Sequence, residues 1–283
     1  MTQRTLSIHG HTVPRFLYGT AWKEDQTERL TRLALKNGFR GIDTANQRRH
    51  YDEAAVGAGI AGVIESGLLK RDDLFLQTKY TFQRGQDHRL PYDPEAPIAT
   101  QVAQSFASSL EHLGTDSIDS YVLHGPTQRE GPADNDWAAW RAMEALHESG
   151  QARMLGVSNI SLKQLQTLCE EATVRPVFVQ NRCYAVQHWD RAIRDYCNAQ
   201  KITYQGFSLL TANRRALSAP QLAQIAMKHG CTIAQMIFSF ALDVGMIPLT
   251  GTTSAEHMQG DLRLFDLQLA PEDISFIENC GLS

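Results

Sequence analysis

The chain has 283 residues and a net charge of -4, a length that admits one α/β barrel or two smaller units and a charge that leaves no broad basic field for phosphate backbones, so nucleic acid is not expected as a partner. The five cysteines, Cys169, Cys183, Cys197, Cys231 and Cys280, are odd in number and show no Cys-x-x-Cys spacing, which argues against a disulfide framework or a zinc site and reads as reduced thiols. The first residues lack an apolar signal region and no run approaches the ~20 apolar residues needed to span a bilayer, so a cytoplasmic protein without membrane contact is expected.

In chain order, Thr5 to Val13 reads as a β-hairpin turning at Gly10. Apolar runs that predict buried strands then follow at Phe16 to Thr20, Gly41 to Ala45, Leu74 to Tyr80, Ile118 to His124, Arg153 to Ser158, Val177 to Cys183, Ile202 to Ser208 and Met246 to Gly251. Helical periodicity fills the gaps, over Gln26 to Asn37, Glu53 to Ser66, Ile98 to Leu113, Trp137 to Ser149, Leu162 to Glu171, Asp190 to Ala199, Pro220 to His229 and Ile233 to Val244, with a short helix over Ser254 to Gly260. Alternation of this kind predicts parallel strands joined by helical crossovers, and eight repeats are about the number that closes a (β/α)8 TIM barrel. The expected fold is therefore that barrel with an N-terminal β-hairpin, residues 1–283 forming one domain. An open dinucleotide-binding sheet would carry an early G-x-G-x-x-G, which is missing; Gly57-Ala-Gly59 lies in a helical pattern and reads as helix packing.

Polar residues fall at the ends of successive strands: Asp43 after the second, Lys79 after the third and His124 after the fourth, with Tyr51 opening the next helix. In a closed barrel these strand ends are neighbours at the face where barrel active sites are built. A buried carboxylate and ammonium pair because each alone is costly to desolvate. An ammonium beside a phenol is expected to lower its pKa from about 10, and a neutral imidazole can donate to the oxygen that the phenol protonates. The long segments from Thr81 to Pro97 and from Gly125 to Asp136 are candidate substrate walls. His9, His11 and His50 have neither the spacing nor the strand positions of a ligand set, so no metal site is expected.

On Gly38-Phe-Arg-Gly-Ile-Asp43-Thr-Ala, Leu76-Gln-Thr-Lys79, Asp119-Ser-Tyr-Val-Leu-His124, Gly156-Val-Ser158-Asn159, Val179-Gln180-Asn181 and Ile247-Pro248, the chain resembles the aldo-keto reductases over essentially its whole length. The resemblance implies an NAD(P)H-dependent oxidoreductase, commonly a monomer, that reduces an aldehyde or ketone by hydride transfer. It makes Asp43, Tyr51, Lys79 and His124 the catalytic tetrad, with Tyr51 as proton donor. Ser158, Asn159 and Gln180 would hold the nicotinamide carboxamide, Phe207 would stack on its ring in place of the usual tyrosine, and Ser208 and Leu210 would run beside the pyrophosphate. Trp22, Phe82 and Trp137 would line the substrate pocket. A cofactor-binding regulatory or structural subunit is the other fate the resemblance permits, and the intact tetrad favours the enzyme.

The chain departs from the family pattern in other places as well. The loop between Asp43 and Glu53 is longer by about two residues, so that counting back from Glu53 meets His50 while the phenol is Tyr51; Tyr51 is expected to be the donor, since imidazole cannot supply the acid strength of a phenol. The segment Leu249-Thr250-Gly251-Thr252-Thr-Ser254 lacks the family's lysine, and His257 stands where an arginine commonly meets the 2′-phosphate. Thr250, Gly251 and Thr252 still offer N–H groups and hydroxyls to phosphate, and Asp261 takes the place of the asparagine that reads adenine. NADPH is the expected cofactor, with NADH open. Arg48 and Arg49 permit an acidic substrate without requiring one.

Overall fold

A computed structural model describes residues 3–281. The N-terminal strands β1 (Thr5–Ile8) and β2 (His11–Pro14) pair antiparallel, as the turn at Gly10 predicts. The following strands are β3 (Leu17–Gly19), β4 (Gly41–Asp43), β5 (Phe75–Tyr80), β6 (Ile118–Leu123), β7 (Ala152–Ser158), β8 (Phe178–Arg182), β9 (Thr203–Phe207) and β10 (Met246–Thr250). They close into a barrel in the order β10-β3-β4-β5-β6-β7-β8-β9, the (β/α)8 TIM architecture. Every residue of β5 and β6 is buried. Parallel strands covered on both faces read in sequence as continuous apolar runs, which is why the periodicity located them.

The helices are α1 (Thr27–Lys36), α2 (Glu53–Glu65), α3 (Ile98–Leu113), α4 (Asp134–Glu148), α5 (Leu162–Glu171), α6 (Arg191–Ala199), α7 (Arg214–Leu217), α8 (Pro220–Lys228), α9 (Ile233–Asp243), α10 (Ala255–Asp261) and α11 (Pro271–Asn279). Local chemistry sets their ends. Ser161 and Gln164 form a capping box at α5, Thr232 and Gln235 another at α9, and Asp52 accepts the Ala55 N–H at the start of α2. Helix α4 begins at Asp134 rather than Trp137 because Asp136 accepts from the Ala133 and Thr127 N–H groups, satisfying backbone donors one turn earlier. Among the described residues no single helix is long and apolar enough to cross a membrane.

Backbone contacts divide the chain into two units, one of residues 18–179 and one of residues up to 17 with 180 onward. In the first, β4, β5, β6 and β7 run in parallel register, with Asp43 opposite Gln77, and Lys79 opposite Val122. Helices α2 and α3 approach closely there: a Cβ on Gly57 would lie 1.9 Å from the His112 carbonyl oxygen. The Gly57-Ala-Gly59 run is thus a packing device, as read from the sequence.

In the second unit, β9 and β10 pair in parallel. Helix α11 was not expected from the sequence and is held by the buried Trp189, whose indole N–H donates to the Ile277 carbonyl at 2.9 Å, and by an Arg194–Glu278 ion pair. The backbone at His188, Trp189 and Asp190 is left-handed at three successive residues, with φ of 50°, 54° and 61°. Left-handed backbone is costly for side chains other than glycine. Here Asp190 Oδ2 accepts from Asn181 Nδ2 at 3.0 Å and from the Tyr204 hydroxyl at 2.8 Å, bonds that hold the turn.

Candidate active site

The parallel register of β4 and β5 places Asp43 directly beside Gln77, two residues before Lys79 on the same face of β5. Lys79 Nζ donates to Asp43 Oδ1 at 2.7 Å and to the Thr44 carbonyl at 2.7 Å. Gln77 Nε2 also donates to Asp43 Oδ1, at 2.6 Å, and its own Oε1 accepts from the Ser120 hydroxyl at 2.8 Å. Asp43 and Lys79 are both buried. Burial lowers the Lys79 pKa from its ordinary value, and the Asp43 carboxylate opposes that shift.

Tyr51 joins this pair although its loop is longer than the family pattern. Gln47 Nε2 donates to the Gly85 carbonyl at 2.7 Å, Gln86 Nε2 to the Asn46 carbonyl at 2.8 Å and Arg89 to the Arg48 carbonyl at 2.7 Å. The Tyr51 N–H closes a turn onto Gln47 O at 3.0 Å. The added residues are thus absorbed against the segment after β5, and the phenol enters the site. Lys79 Nζ lies 5.5 Å from the centroid of the Tyr51 ring, and the Tyr51 and His124 rings meet edge to face with centroids 6.0 Å apart. His50 turns instead to Trp22, its ring 3.9 Å from the indole. Burial and the Arg49 charge lower the His50 pKa, with Asp87 opposing.

His124 follows β6, its N–H bonded to the Tyr80 carbonyl at 2.9 Å. Its Nδ1 lies 2.7 Å from the Thr81 hydroxyl, and Asn159 Nδ2 donates to its carbonyl at 2.8 Å. Burial, the Lys79 charge and His50 lower the imidazole pKa to about 3. The ring is therefore neutral at ordinary pH, the state in which one nitrogen donates and the other accepts.

One electrostatic expectation is overturned. Lys79 was expected to lower the Tyr51 pKa, but burial raises it, and the nearby Asp43 carboxylate raises it further. The ammonium charge is already engaged by Asp43 and Thr44. A phenol with a raised pKa stays protonated at neutral pH, which is the form that donates.

Trp22 is 66% exposed, with left-handed backbone whose N–H donates to the His50 carbonyl at 2.8 Å. Phe82 is buried against Tyr80, centroids 5.1 Å apart, and so packs into the aromatic base of its loop. Trp137 lies on α4 beside Arg141 and lines a small cavity with Leu123, Pro126, Trp140, Val157 and Leu168. Arg84 donates to the Pro126 and Thr127 carbonyls, tying the two long loops together.

Ser158 ends β7, buried, and accepts from Asn159 Nδ2 at 3.1 Å; Asn159 has a left-handed φ of 53°. In the other unit, Gln180 Nε2 donates to Gln205 Oε1 at 2.9 Å. The Arg182 guanidinium lies 5.8 Å from the centroid of Phe207, and Ser208 and Leu210 follow in a turn whose carbonyls accept from Ala212 and Asn213. Thr250 donates to the buried Asp261 at 3.1 Å, while burial raises the Asp261 pKa to about 6. Gly251 and Thr252 follow β10, and Thr252 Oγ1 lies 3.5 Å from His257 Nδ1; the His257 N–H donates to the Ser254 hydroxyl. Arg182 makes no ion pair among the described residues. An unpaired guanidinium, several hydroxyls and an imidazole are donor chemistry that fits a dinucleotide's phosphates, and a half-buried phenylalanine ring fits its nicotinamide.

Gln77, Thr81, Gln47 and Gln86 carry the site without having been singled out in the sequence. For Gln77 a signal existed, since it and Lys79 share one strand face. The other three act through loop geometry that has no periodic signature.

A model described as the aldo/keto reductase family matches residues 16–281. A glyoxal reductase of Bacillus subtilis (strain 168) is 30% identical over 277 residues, covering 97% of this chain and 91% of that protein. Among solved structures, an aldo/keto reductase from Brucella melitensis superposes with a TM-score of 0.83 at 27% identity, covering 99% of this chain and 100% of that one. An aldo-keto reductase of Bombyx mori in complex with NADP superposes with a TM-score of 0.83 at 25% identity, covering 99% and 93%.

Proposed function

The chain belongs to the aldo/keto reductase family, and from that premise we propose that it reduces an aldehyde or ketone to the alcohol, with Tyr51 as proton donor. It is an NAD(P)H-dependent oxidoreductase, and NADPH is the cofactor, supplying the hydride when bound. The observation that carries the reading is the placement of Tyr51 against both Lys79 and His124, its hydroxyl without a hydrogen-bond partner among the described residues and so available to a substrate.

The residues divide the work. The hydride adds to the carbonyl carbon, and the electron pair of the broken π bond goes to oxygen, which takes the phenol proton of Tyr51. Lys79 is a cation close to the phenolate that proton transfer leaves behind, and Asp43, itself held by Gln77, keeps the ammonium in place. Neutral His124 donates one ring N–H to the same oxygen as it becomes negative. Solvent then returns a proton to Tyr51. Ser158, Asn159 and Gln180 would hold the carboxamide of the cofactor, Phe207 would meet its ring, and Ser208, Leu210, Thr250, Gly251, Thr252, His257 and Asp261 would serve its phosphates and adenosine. Trp22, Phe82 and Trp137 would wall the substrate.

A panel of aldehydes, ketones and sugars with NADPH and NADH, followed by loss of reduced-nicotinamide absorbance, tests the reading. Turnover with at least one carbonyl is expected; none with any of them would contradict it.

A further inference from the structure

We infer that Thr81 is a positioning residue that fixes the tautomer of His124, donating its hydroxyl proton to Nδ1 so that Nε2 carries the N–H offered to substrate. The inference rests on the functional reading above for its catalytic consequence, but its structural content stands on the geometry of Thr81. The hydroxyl lies 2.7 Å from His124 Nδ1, and no other hydrogen bond of that hydroxyl occurs among the described residues.

Thr81 is only 5% exposed. Were Nδ1 to carry the proton and donate, the hydroxyl hydrogen of Thr81 would be left buried without an acceptor, which is costly. With Thr81 as donor, both groups are satisfied. No described protein group bonds to His124 Nε2, so that nitrogen is open to a ligand.

The aim of the hydroxyl is fixed from two sides. The Thr81 carbonyl accepts from the Tyr92 hydroxyl at 2.8 Å and from Gln86 Nε2 at 3.4 Å, which anchors its backbone. Its methyl packs on Gly85 so closely that a Cβ there would lie 2.7 Å from Thr81 Cγ2. A β-branched side chain has few χ1 rotamers, and this contact selects the one that points oxygen at His124. Gly85 is thereby part of the same device, and the loop that absorbs the longer Tyr51 segment also sets the imidazole.

The test compares the parent enzyme with Thr81→Ser, Thr81→Val and Thr81→Ala by long-range 1H–15N correlation of His124 and by steady-state kinetics. The parent and Thr81→Ser are expected to show the Nε2–H tautomer. Thr81→Val and Thr81→Ala should show Nδ1–H or a mixture, and kcat should fall roughly tenfold to a hundredfold, short of the ~10²–10³ seen when an oxyanion donor is removed outright; NADPH affinity should be unchanged. An unaltered Nε2–H tautomer in either variant, or loss of activity in Thr81→Ser equal to that in Thr81→Val, overturns the assignment. A parent that turns over no carbonyl sinks the functional reading instead, and the tautomer signal still decides the role of Thr81.

Discussion

Lys79 Nζ and Asp43 Oδ1 lie 2.7 Å apart with both side chains buried, the ammonium 1% and the carboxylate 5% exposed. Neither charge is tolerable there alone. Lys79→Met should therefore cost about 3–5 kcal/mol of stability, and the deficit should grow as pH rises, because an unpaired buried carboxylate has a raised pKa and its charged form is the penalised one. Adding Asp43→Asn should recover part of the loss. Urea unfolding of both variants measures this, and an equal deficit in the two at pH 8 would count against a mutually dependent pair.

His124 gives a second, pH-resolved prediction. Its folded pKa of about 3 lies below the ordinary 6.5, so from about 6.5 downward the unfolded chain takes up a proton that the folded one refuses. Stability is lost as pH falls through that window, with a slope of up to about 1.4 kcal/mol per pH unit from this residue. His124→Gln should flatten that part of the curve. Unfolding free energies of parent and variant between pH 4 and 8 check it; parallel curves would mean the imidazole is not held neutral.

Cofactor choice turns on His257, whose side chain is exposed beside Thr252. A permanent guanidinium at this position, His257→Arg, should tighten NADPH binding by about tenfold, the lower end for a charged hydrogen bond in an exposed setting. NADH binding should barely move. Fluorescence titration with each dinucleotide reads the difference, and an equal gain for both would show that position 257 does not meet the 2′-phosphate.

The eight barrel strands were legible because parallel strands buried on two faces leave unbroken apolar runs, and the antiparallel hairpin because of its turn at Gly10. Helices α7 and α11 were not. Helix α7 spans four residues and buries none; α11 buries only Asp273 and Ile277, so neither has a periodic stripe. Pro271 with Glu272 and Asp273 in the first turn was the available start signal for α11. The grouping of Asp43, Lys79 and His124 followed from strand ends alone. Which of His50 and Tyr51 enters the site depended on the amide contacts of Gln47 and Gln86, which no spacing encodes. The direction of the Tyr51 pKa was misjudged for a related reason: burial and the Asp43 carboxylate both raise it, and only geometry shows that they outweigh the nearby ammonium.

The most direct measurement on the central claim is kcat for carbonyl reduction by Tyr51→Phe beside that of His50→Gln, with NADPH dissociation constants for both. Tyr51→Phe should lower kcat by roughly 10²–10⁴, the range of general acid catalysis, with NADPH affinity nearly unchanged, while His50→Gln keeps most of the parent rate. Near-parent turnover in Tyr51→Phe together with a severe loss in His50→Gln would contradict the assignment of Tyr51 as proton donor.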